Sequence, residues 1–345
     1  MVKGQTVRLG STGIIAGKNG FGALPIQRIS EEEAVKILRR ALAEGINFFD
    51  TSRKYTDSEK KIGLAFGALD RSSFYIATKT GAQTGEDLRK DLATTLENLR
   101  TDYVDIYQFH NPSFCPEPGD GTGLYEAMLE AKQKGQVRHI GITNHRLHVA
   151  NRAIESGLYE TLQFPFNYLC GPEEIELVEK CRAHNMGFIA MKGLSGGLLD
   201  DYRACYAFQA QYPDVLPIWG IQKEEELDQW LSCISDPPAM TDEIRKTIEK
   251  DKKELAGDFC RSCGYCMPCT VGIDIPQCAR MSQLMRRSPY KRFLAPEWQE
   301  KMRMINECIN CGKCMSKCPY GLNTPELLRK NLDDYEDILA GRVKL

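Results

Sequence analysis

The sequence predicts an α/β protein, a (β/α)8 TIM barrel followed by a small, mainly α-helical domain. Three observations predict this fold class. Short β-branched and aromatic runs alternate with amphipathic helical stretches from residue 30 to about residue 232, which is the pattern of a parallel sheet. Eight strand–helix units fit that length, as a barrel requires. Beyond them, eight cysteines fall into two tightly spaced runs near the C-terminus.

The predicted strands are short, and the first is not followed by the G-x-G-x-x-G motif of an open dinucleotide-binding sheet. That difference favours a closed barrel over an open, doubly wound sheet. The predicted strands are Gly20–Leu24, Asn47–Asp50, Phe74–Thr78, Val104–Phe109, His139–Thr143, Thr161–Phe164, Phe188–Met191 and Leu216–Trp219.

The helices between these strands carry recognisable end signals. In the first of them, Ser30 and Glu33 form a capping box, and Gly45 follows the last apolar position as a stop signal. Residues 1–18 are predicted to form a small hairpin that closes the floor of the barrel. The other predicted helices are Ser58–Leu69, Glu86–Leu99, Leu124–Lys134, Leu147–Glu155, Pro172–His184 and Glu224–Leu231.

Composition narrows the class of protein. The 345 residues carry a formal net charge of −2, which argues against a nucleic-acid partner. No stretch of about 18 apolar residues occurs, so no membrane span is expected. The N-terminal residues lack the apolar segment of a secretory signal, and a cytoplasmic location is therefore expected.

The cysteine runs are the strongest motif in the chain. The second run, C-x2-C-x2-C-x3-C-P, has the spacing of bacterial ferredoxins, in which three cysteines bind one [4Fe-4S] cluster and the fourth binds the other. The first run departs from this spacing, because two residues instead of three separate Cys266 from Cys269, and Thr270 stands where proline is expected. Two clusters are predicted, with the ligands Cys260, Cys263, Cys266, Cys269, Cys308, Cys311, Cys314 and Cys318.

In a crossed arrangement, Cys318 completes the cluster of the first run and Cys269 completes that of the second, with Cys278 as an alternative fourth ligand. Structural zinc also uses paired C-x2-C units, but it does not explain a run of four. Disulfides are less consistent with a cytosolic chain. The predicted domains are a barrel at 1–235, a helical connector at 236–257 and a ferredoxin-type [4Fe-4S] domain at 258–345.

Four polar residues are predicted to meet at the C-terminal ends of the barrel strands, where such barrels carry their active sites. Asp50, Lys79 and His110 close the second, third and fourth strands, and Tyr55 lies in the loop after Asp50. Taken singly, each has an ordinary role as a cap, a solvated charge or a packing side chain. Together they suit carbonyl reduction, because a lysine ammonium beside a tyrosine is expected to lower the pKa of the phenol, the proton donor.

Four segments of the barrel stand out as motifs: GINFFDTSRKYTDSEKKIG, FYIATKTG, LENLRTDYVDIYQFHNP and HIGITNH. They resemble the aldo/keto reductase family, over residues 1 to about 232. The resemblance places the family's catalytic tetrad on Asp50, Tyr55, Lys79 and His110 without substitution. The cysteine-rich tail is similar to the subgroup that ends in a ferredoxin-type [4Fe-4S] domain. Hydride transfer between NAD(P)H and a carbonyl or alcohol substrate is thereby implied, with Tyr55 as general acid or base.

The resemblance also implies a bound nicotinamide dinucleotide, usually NADPH, across the mouth of the barrel. Asn144 and Gln163 match positions that hydrogen-bond the nicotinamide amide. Lys192 and Gly193 begin one of the two loops expected to hold phosphates and adenosine, and Gly220 begins the other.

The last of these loops departs from the family pattern. Gln229 and Trp230 stand where family members often carry a Glu-Asn pair. Three acidic residues, Glu224–Glu226, are expected to repel the 2′-phosphate of NADPH. NADH is therefore an alternative to NADPH as the cofactor.

The sequence leaves the role of the clusters open, because a hydride carries two electrons and a cubane cluster normally passes one. Three roles are therefore considered. The clusters either relay electrons to ferredoxin or another electron-transfer protein, or serve as structural elements of a reductase. In the third role they report the redox state in a sensor whose barrel binds a ligand without turnover. The intact tetrad argues against the sensor. Arg53 and Lys54, which precede the tyrosine of the tetrad, are either binding groups for a substrate carboxylate or two exposed cations.

Overall fold

The computed structural model describes residues 4–255, 259–287 and 290–344. Within these ranges the chain forms two compact units. The first contains the described residues up to Gly193 together with Tyr202–Met240. The second contains Leu194–Asp201 together with the described residues from Thr241 onward.

The first unit is a closed parallel barrel of eight strands, which confirms the predicted fold. An antiparallel hairpin of β1 (Thr6–Arg8) and β2 (Ile15–Gly17) precedes it. The barrel strands are β3 (Gly20–Gly22), β4 (Phe48–Asp50), β5 (Tyr75–Thr80), β6 (Val104–His110), β7 (Val137–Thr143), β8 (Thr161–Pro165), β9 (Gly187–Met191) and β10 (Val215–Gly220). They follow one another in chain order, and β10 pairs with β3 to close the barrel.

Eight helices belong to the described part of this unit. They are α1 (Glu31–Ala43), α2 (Ser58–Phe66), α3 (Gly85–Leu99), α4 (Leu124–Gln133), α5 (Leu147–Ser156), α6 (Pro172–Ala183), α7 (Tyr202–Ala210) and α8 (Glu224–Ser235). The predicted capping box of α1 is present, since Ser30 Oγ accepts from Glu33 N–H at 3.2 Å and Glu33 Oε2 accepts from Ser30 N–H at 3.0 Å. The sequence did not predict α7, which has no acidic residue in its first turn and no basic residue in its last.

The hairpin closes the floor of the barrel. Its apolar side chains, among them Val7, Leu9 and Ile14, form one buried cluster with Phe48 and Ile106 from the barrel strands. Because apolar packing fills this end, the polar side chains at the C-terminal ends of the strands lie at the opposite, open end, where a functional site is expected.

The second unit is mainly helical in its described part. Its helices are α9 (Asp242–Glu254), α10 (Ile275–Cys278), α11 (Met281–Arg287), α12 (Pro296–Arg303), α13 (Lys313–Ser316) and α14 (Thr324–Leu339). The helix α14 buries Leu328 and Leu332, and the Tyr335 hydroxyl donates to Phe293 O at 2.5 Å. Across the described residues, no helix combines the length and the apolar character that crossing a bilayer requires.

Candidate active site

An ion pair lies where β4 and β5 end. Lys79 Nζ lies 2.6 Å from Asp50 Oδ1 and also donates to the carbonyl oxygen of Thr51 at 2.6 Å. Asp50 is 2% exposed and Lys79 is 1% exposed. Burial raises the pKa of Asp50 and lowers the pKa of Lys79, while their mutual contact opposes both shifts. The two side chains thus hold each other in place inside the barrel mouth.

Tyr55 lies beside this pair, with its ring centroid 5.3 Å from Lys79 Nζ. Burial of the phenol, and secondarily the Asp50 carboxylate, raise the pKa of Tyr55 above its ordinary value. The expectation of a lowered pKa is therefore wrong, because burial of the phenol and the charge of Asp50 outweigh the effect of Lys79. Tyr55 stays protonated at neutral pH, as a proton donor must be.

His110 completes the group. Its ring centroid lies 5.8 Å from that of Tyr55, and the two rings meet edge to face at 83°. Burial, followed by the positive charges of Lys79 and Lys54, lowers the pKa of His110 to about 3. The imidazole is therefore neutral at physiological pH and carries a single ring proton.

Ser52 determines which nitrogen of His110 carries that proton. Ser52 Oγ lies 2.8 Å from His110 Nδ1 and accepts the backbone N–H of Lys54 at 3.2 Å. The serine is 1% exposed, so its own hydrogen needs an acceptor within the protein, and His110 Nδ1 is within reach. With the Ser52 hydroxyl as the donor to Nδ1, the proton of His110 is on Nε2, where it suits a carbonyl oxygen. Sequence reasoning missed Ser52, although it stands two positions after Asp50 in the same motif.

Gln163 and Asn144 differ in the hydrogen-bonding groups that their side-chain amides leave without a partner. Gln163 Nε2 lies 3.4 Å from Asp50 Oδ1, and its buried Oε1 has no hydrogen-bond partner among the described residues. Asn144 uses its amide within the protein, because it donates to Pro112 O in the loop after β6 at 2.8 Å and accepts from the N–H of Arg146 at 2.9 Å. A buried carbonyl oxygen requires a donor. The carboxamide of a nicotinamide supplies such a donor, so Gln163 fits this group.

The predicted phosphate loop begins at Lys192 and Gly193. Lys192 has a positive φ of 57°, and its carbonyl oxygen accepts from Asn167 Nδ2 at 2.9 Å. A Cβ at Gly193 would lie 2.3 Å from the ring of Trp219, so a side chain does not fit there. Trp219 stacks on Trp230 with ring centroids 3.9 Å apart. Trp230 is thus a buried packing residue.

The remainder of that loop, Leu194–Asp201, belongs to the second unit. Arg280 Nη1 donates to Gly196 O at 2.9 Å, and Arg287 Nη1 donates to Leu198 O at 3.0 Å. Both arginines follow the first cysteine run in the sequence. No motif predicted these contacts, which fix the backbone of the loop from within the cysteine-rich unit.

The segment after Gly220, which is exposed at the end of β10, carries less free negative charge than its sequence suggests. Glu224 pairs with Lys36 at 3.2 Å and also with Arg40. Glu226 accepts hydrogen bonds from the two backbone N–H groups that precede α8, at 2.8 and 3.2 Å. Their expected repulsion of a 2′-phosphate is therefore weakened, since two of the three acidic side chains have partners.

The eight predicted cluster ligands line two cavities in the second unit. Each cavity combines cysteines from both runs. The first is lined by Cys260, Cys263, Cys266 and Cys318. The second is lined by Cys269, Cys308, Cys311 and Cys314, with Cys266 at its border. Four thiols around each cavity suit the four corners of a cubane cluster.

Cys278 and Thr270 differ in how they lie relative to the predicted cluster ligands. Cys278 is fully buried and lines neither cavity in the described ranges, and its Sγ lies 3.7 Å from Lys301 O. Thr270, which replaces the expected proline, has its hydroxyl 3.6 Å from Cys311 Sγ. Within the described part of the chain, no three Cys, His, Asp or Glu side chains converge as one metal ion requires.

Known protein families match both the barrel and the cysteine-rich part of the chain. The model of the aldo/keto reductase family matches residues 13–211, and that of a 4Fe-4S dicluster domain matches residues 259–323. L-galactose dehydrogenase of Arabidopsis thaliana is 32% identical over 219 residues, which cover 58% of this chain and 69% of that protein. A methylglyoxal reductase of Salmonella typhi is 36% identical over 137 residues, or 37% of this chain and 48% of that protein.

Solved structures share the barrel. The holo form of an aldo-keto reductase from Bacillus halodurans has a TM-score of 0.62 at 20% identity and covers 72% of this chain and 96% of its own. An aldo-keto reductase from Klebsiella pneumoniae in complex with NADPH has a TM-score of 0.58 at 22% identity, over 72% of this chain and 95% of its own. Since the family model matches more than half of the sequence, the chain belongs to the aldo/keto reductase family and carries a C-terminal 4Fe-4S dicluster domain.

Proposed function

We propose that the barrel reduces a carbonyl substrate, or oxidises the corresponding alcohol, with a nicotinamide dinucleotide as redox partner. One observation carries this proposal: Asp50, Tyr55, Lys79 and His110 assemble at one end of the barrel, with a protonated phenol beside a buried ion pair of 2.6 Å. Relatives named as a dehydrogenase and as a reductase support it.

The roles of the four residues follow from their environments. The nicotinamide, when bound, supplies the hydride that reduces the carbonyl carbon. Tyr55 donates its phenolic proton to the carbonyl oxygen, and the Nε2–H of His110 donates a hydrogen bond to the same oxygen. Lys79, held by Asp50, stabilises the phenolate that remains on Tyr55 after proton transfer.

Gln163 is the residue that suits the nicotinamide carboxamide, because its buried Oε1 has no partner among the described residues. We propose NADPH as the preferred cofactor. The partners of Glu224 and Glu226 weaken the electrostatic argument against a 2′-phosphate, and a fold relative was solved with NADPH. Lys192, Gly193, Gly220 and the loop that follows β10 remain the proposed phosphate and adenosine contacts, while Asn144 connects its loop to the loop after β6.

The pH dependence of reduction tests the proposed proton donor. The pKa of Tyr55 lies above its ordinary value of about 10, and an acid catalyst is active while protonated. Since the pKa of His110 is about 3, the imidazole of this site does not titrate near neutrality. The rate of carbonyl reduction is therefore expected to be level from about pH 6 to pH 9 and to fall only above about pH 10. A decline with a midpoint between pH 6 and pH 8 would show that a different group donates the proton.

We propose the crossed ligand arrangement for two clusters. Cys260, Cys263 and Cys266 with Cys318 would hold one, and Cys308, Cys311 and Cys314 with Cys269 would hold the other. The lining of the two cavities supports this assignment, and the burial of Cys278 away from both supports Cys269 as the fourth ligand.

The surroundings of Cys311 favour electron exchange as a second function. Cys311 is exposed, and the nearby Ile309 is 63% exposed. A ligand at the surface lets a partner approach the cluster closely, so we propose that the second cluster exchanges electrons with ferredoxin or another electron-transfer protein. Anaerobic dithionite titration followed by electron paramagnetic resonance is expected to show a reduced-cluster signal. If the clusters give no such signal down to the potential of dithionite, their role is structural only.

A further inference from the structure

Lys54 is a cation at the barrel mouth for which the described residues provide no carboxylate partner. Its side chain runs from the loop after β4 across Gly81, just beyond β5. A Cβ at Gly81 would lie 1.9 Å from Lys54 Cε and 2.4 Å from its Nζ. The charge of Lys54 also contributes to the lowered pKa of His110, at the end of β6. The ammonium therefore lies just beyond the end of β5, within electrostatic range of His110.

The other cations around the tetrad are engaged inside the protein. Arg53 Nη1 lies 2.5 Å from Glu59 Oε2, and Glu59 is 1% exposed. Lys79 is held by Asp50 at 2.6 Å. Of the two residues that precede Tyr55, Arg53 thus has a structural role, and the accessible charge belongs to Lys54, whose side chain is exposed.

We propose that the substrate of this site carries a carboxylate, which pairs with Lys54 while the carbonyl group faces Tyr55. The proposal rests on the proposed carbonyl reduction and names its substrate class, an aldehyde or ketone that is also an acid. A carboxylate reaches Lys54 without breaking an existing ion pair among the described residues. A phosphate suits this position less, since phosphate sites usually combine several charged or backbone donors, and Lys54 offers one ammonium.

Two aldehydes that differ in one charge test the proposal in the full-length protein with its clusters and NADPH: 4-carboxybenzaldehyde and methyl 4-formylbenzoate. Lys54→Met is expected to lower kcat/KM for the acid about fivefold, mainly through KM, and to leave the ester within about twofold, as loss of one accessible ion pair predicts. Lys54→Arg should retain most of the preference. Gly81→Ala should resemble Lys54→Met, because the added methyl group displaces the lysine side chain.

Lys60→Met is the matched control, because it removes the same charge six positions along the chain from a lysine that pairs with Glu31 at 2.7 Å. It should leave both aldehydes unchanged. Calorimetric titration with benzoate provides a readout without turnover, and Lys54→Met is expected to weaken benzoate binding about fivefold.

The outcomes separate this inference from the proposed function. If the wild-type protein reduces neither aldehyde, the result contradicts the proposed function. The benzoate titration still tests whether Lys54 binds a carboxylate. Equal losses for the acid and the ester would overturn the inference, since they would show that Lys54 only supports the Tyr55 loop. Benzoate affinity that is the same in wild type and Lys54→Met would overturn it as well.

Discussion

Replacing Tyr55 with phenylalanine is expected to lower kcat for carbonyl reduction by about a thousandfold, within the range that general acid catalysis contributes. The substitution removes the phenolic proton and leaves the ring, which packs edge to face on His110 at a centroid distance of 5.8 Å. The Asp50–Lys79 pair does not hydrogen-bond through Tyr55, so it should persist. Stopped-flow measurement of NADPH oxidation at saturating substrate measures the loss.

The matched control for this prediction is Tyr103→Phe. It removes the same hydroxyl from a ring whose described contacts are with the guanidinium groups of Arg71 and Arg138, at 4.2 and 3.8 Å from the ring centroid. Its kcat should stay within about twofold of wild type. NADPH binding, followed by fluorescence titration, should be unchanged in both variants. A Tyr55→Phe protein that retains a tenth or more of the wild-type kcat would rule out this tyrosine as the proton donor.

The second large effect concerns the clusters. Wild-type protein purified without oxygen is expected to contain about eight iron atoms and eight sulfides per chain, the content of two [4Fe-4S] clusters. Cys263→Ala and Cys318→Ala each remove a ligand of the same cavity in the crossed arrangement. Each single variant should therefore lose about half of the iron. The double variant should lose no more than either single variant, because both substitutions act on one cluster.

The double variant distinguishes the two ligand arrangements. If each cluster instead took its four ligands from one run, Cys263→Ala and Cys318→Ala would affect different clusters, and the double variant would lose nearly all iron. Cys278→Ala is the control, since Cys278 is buried and lines neither cavity in the described ranges. It should keep the full iron content. Loss of half the iron from Cys278→Ala would make Cys278 a ligand in place of Cys269.

Much of the fold could be predicted because the physical signal is local. Strands of a parallel barrel are buried on both faces and often read as continuous apolar runs, such as that of β9. The helix α7 escaped prediction because its sequence, YRACYAFQA, is mostly buried and offers neither charged ends nor a clear polar face. Helix ends without capping or charge signals are the places where sequence patterns lose their information.

The positions of the site residues could be predicted from the sequence, but the directions of their pKa shifts could be predicted less well. The ends of successive strands bring Asp50, Lys79 and His110 together, and that follows from topology. The pKa of Tyr55 depends on the burial of the phenol and on the nearby charge of Asp50, and a spacing rule reports neither of them.

Contacts between loops were likewise beyond sequence patterns. The hydrogen bond from Ser52 to His110 joins two strand ends that are 58 positions apart. The path of Lys54 across Gly81 depends on the absence of a side chain at one glycine. Such contacts depend on side-chain orientation, which only the folded structure defines.

Isotope transfer tests direct carbonyl reduction at the barrel site. The 345-residue protein, prepared without oxygen, is given 4-carboxybenzaldehyde and NADPH in which both hydrogens at C4 are deuterium, and the alcohol is analysed by mass spectrometry. Direct transfer from the nicotinamide to the carbonyl carbon predicts one deuterium in each alcohol molecule, formed at a rate that depends on Tyr55. Unlabelled alcohol would contradict it, because electrons delivered through the clusters would combine with protons from water.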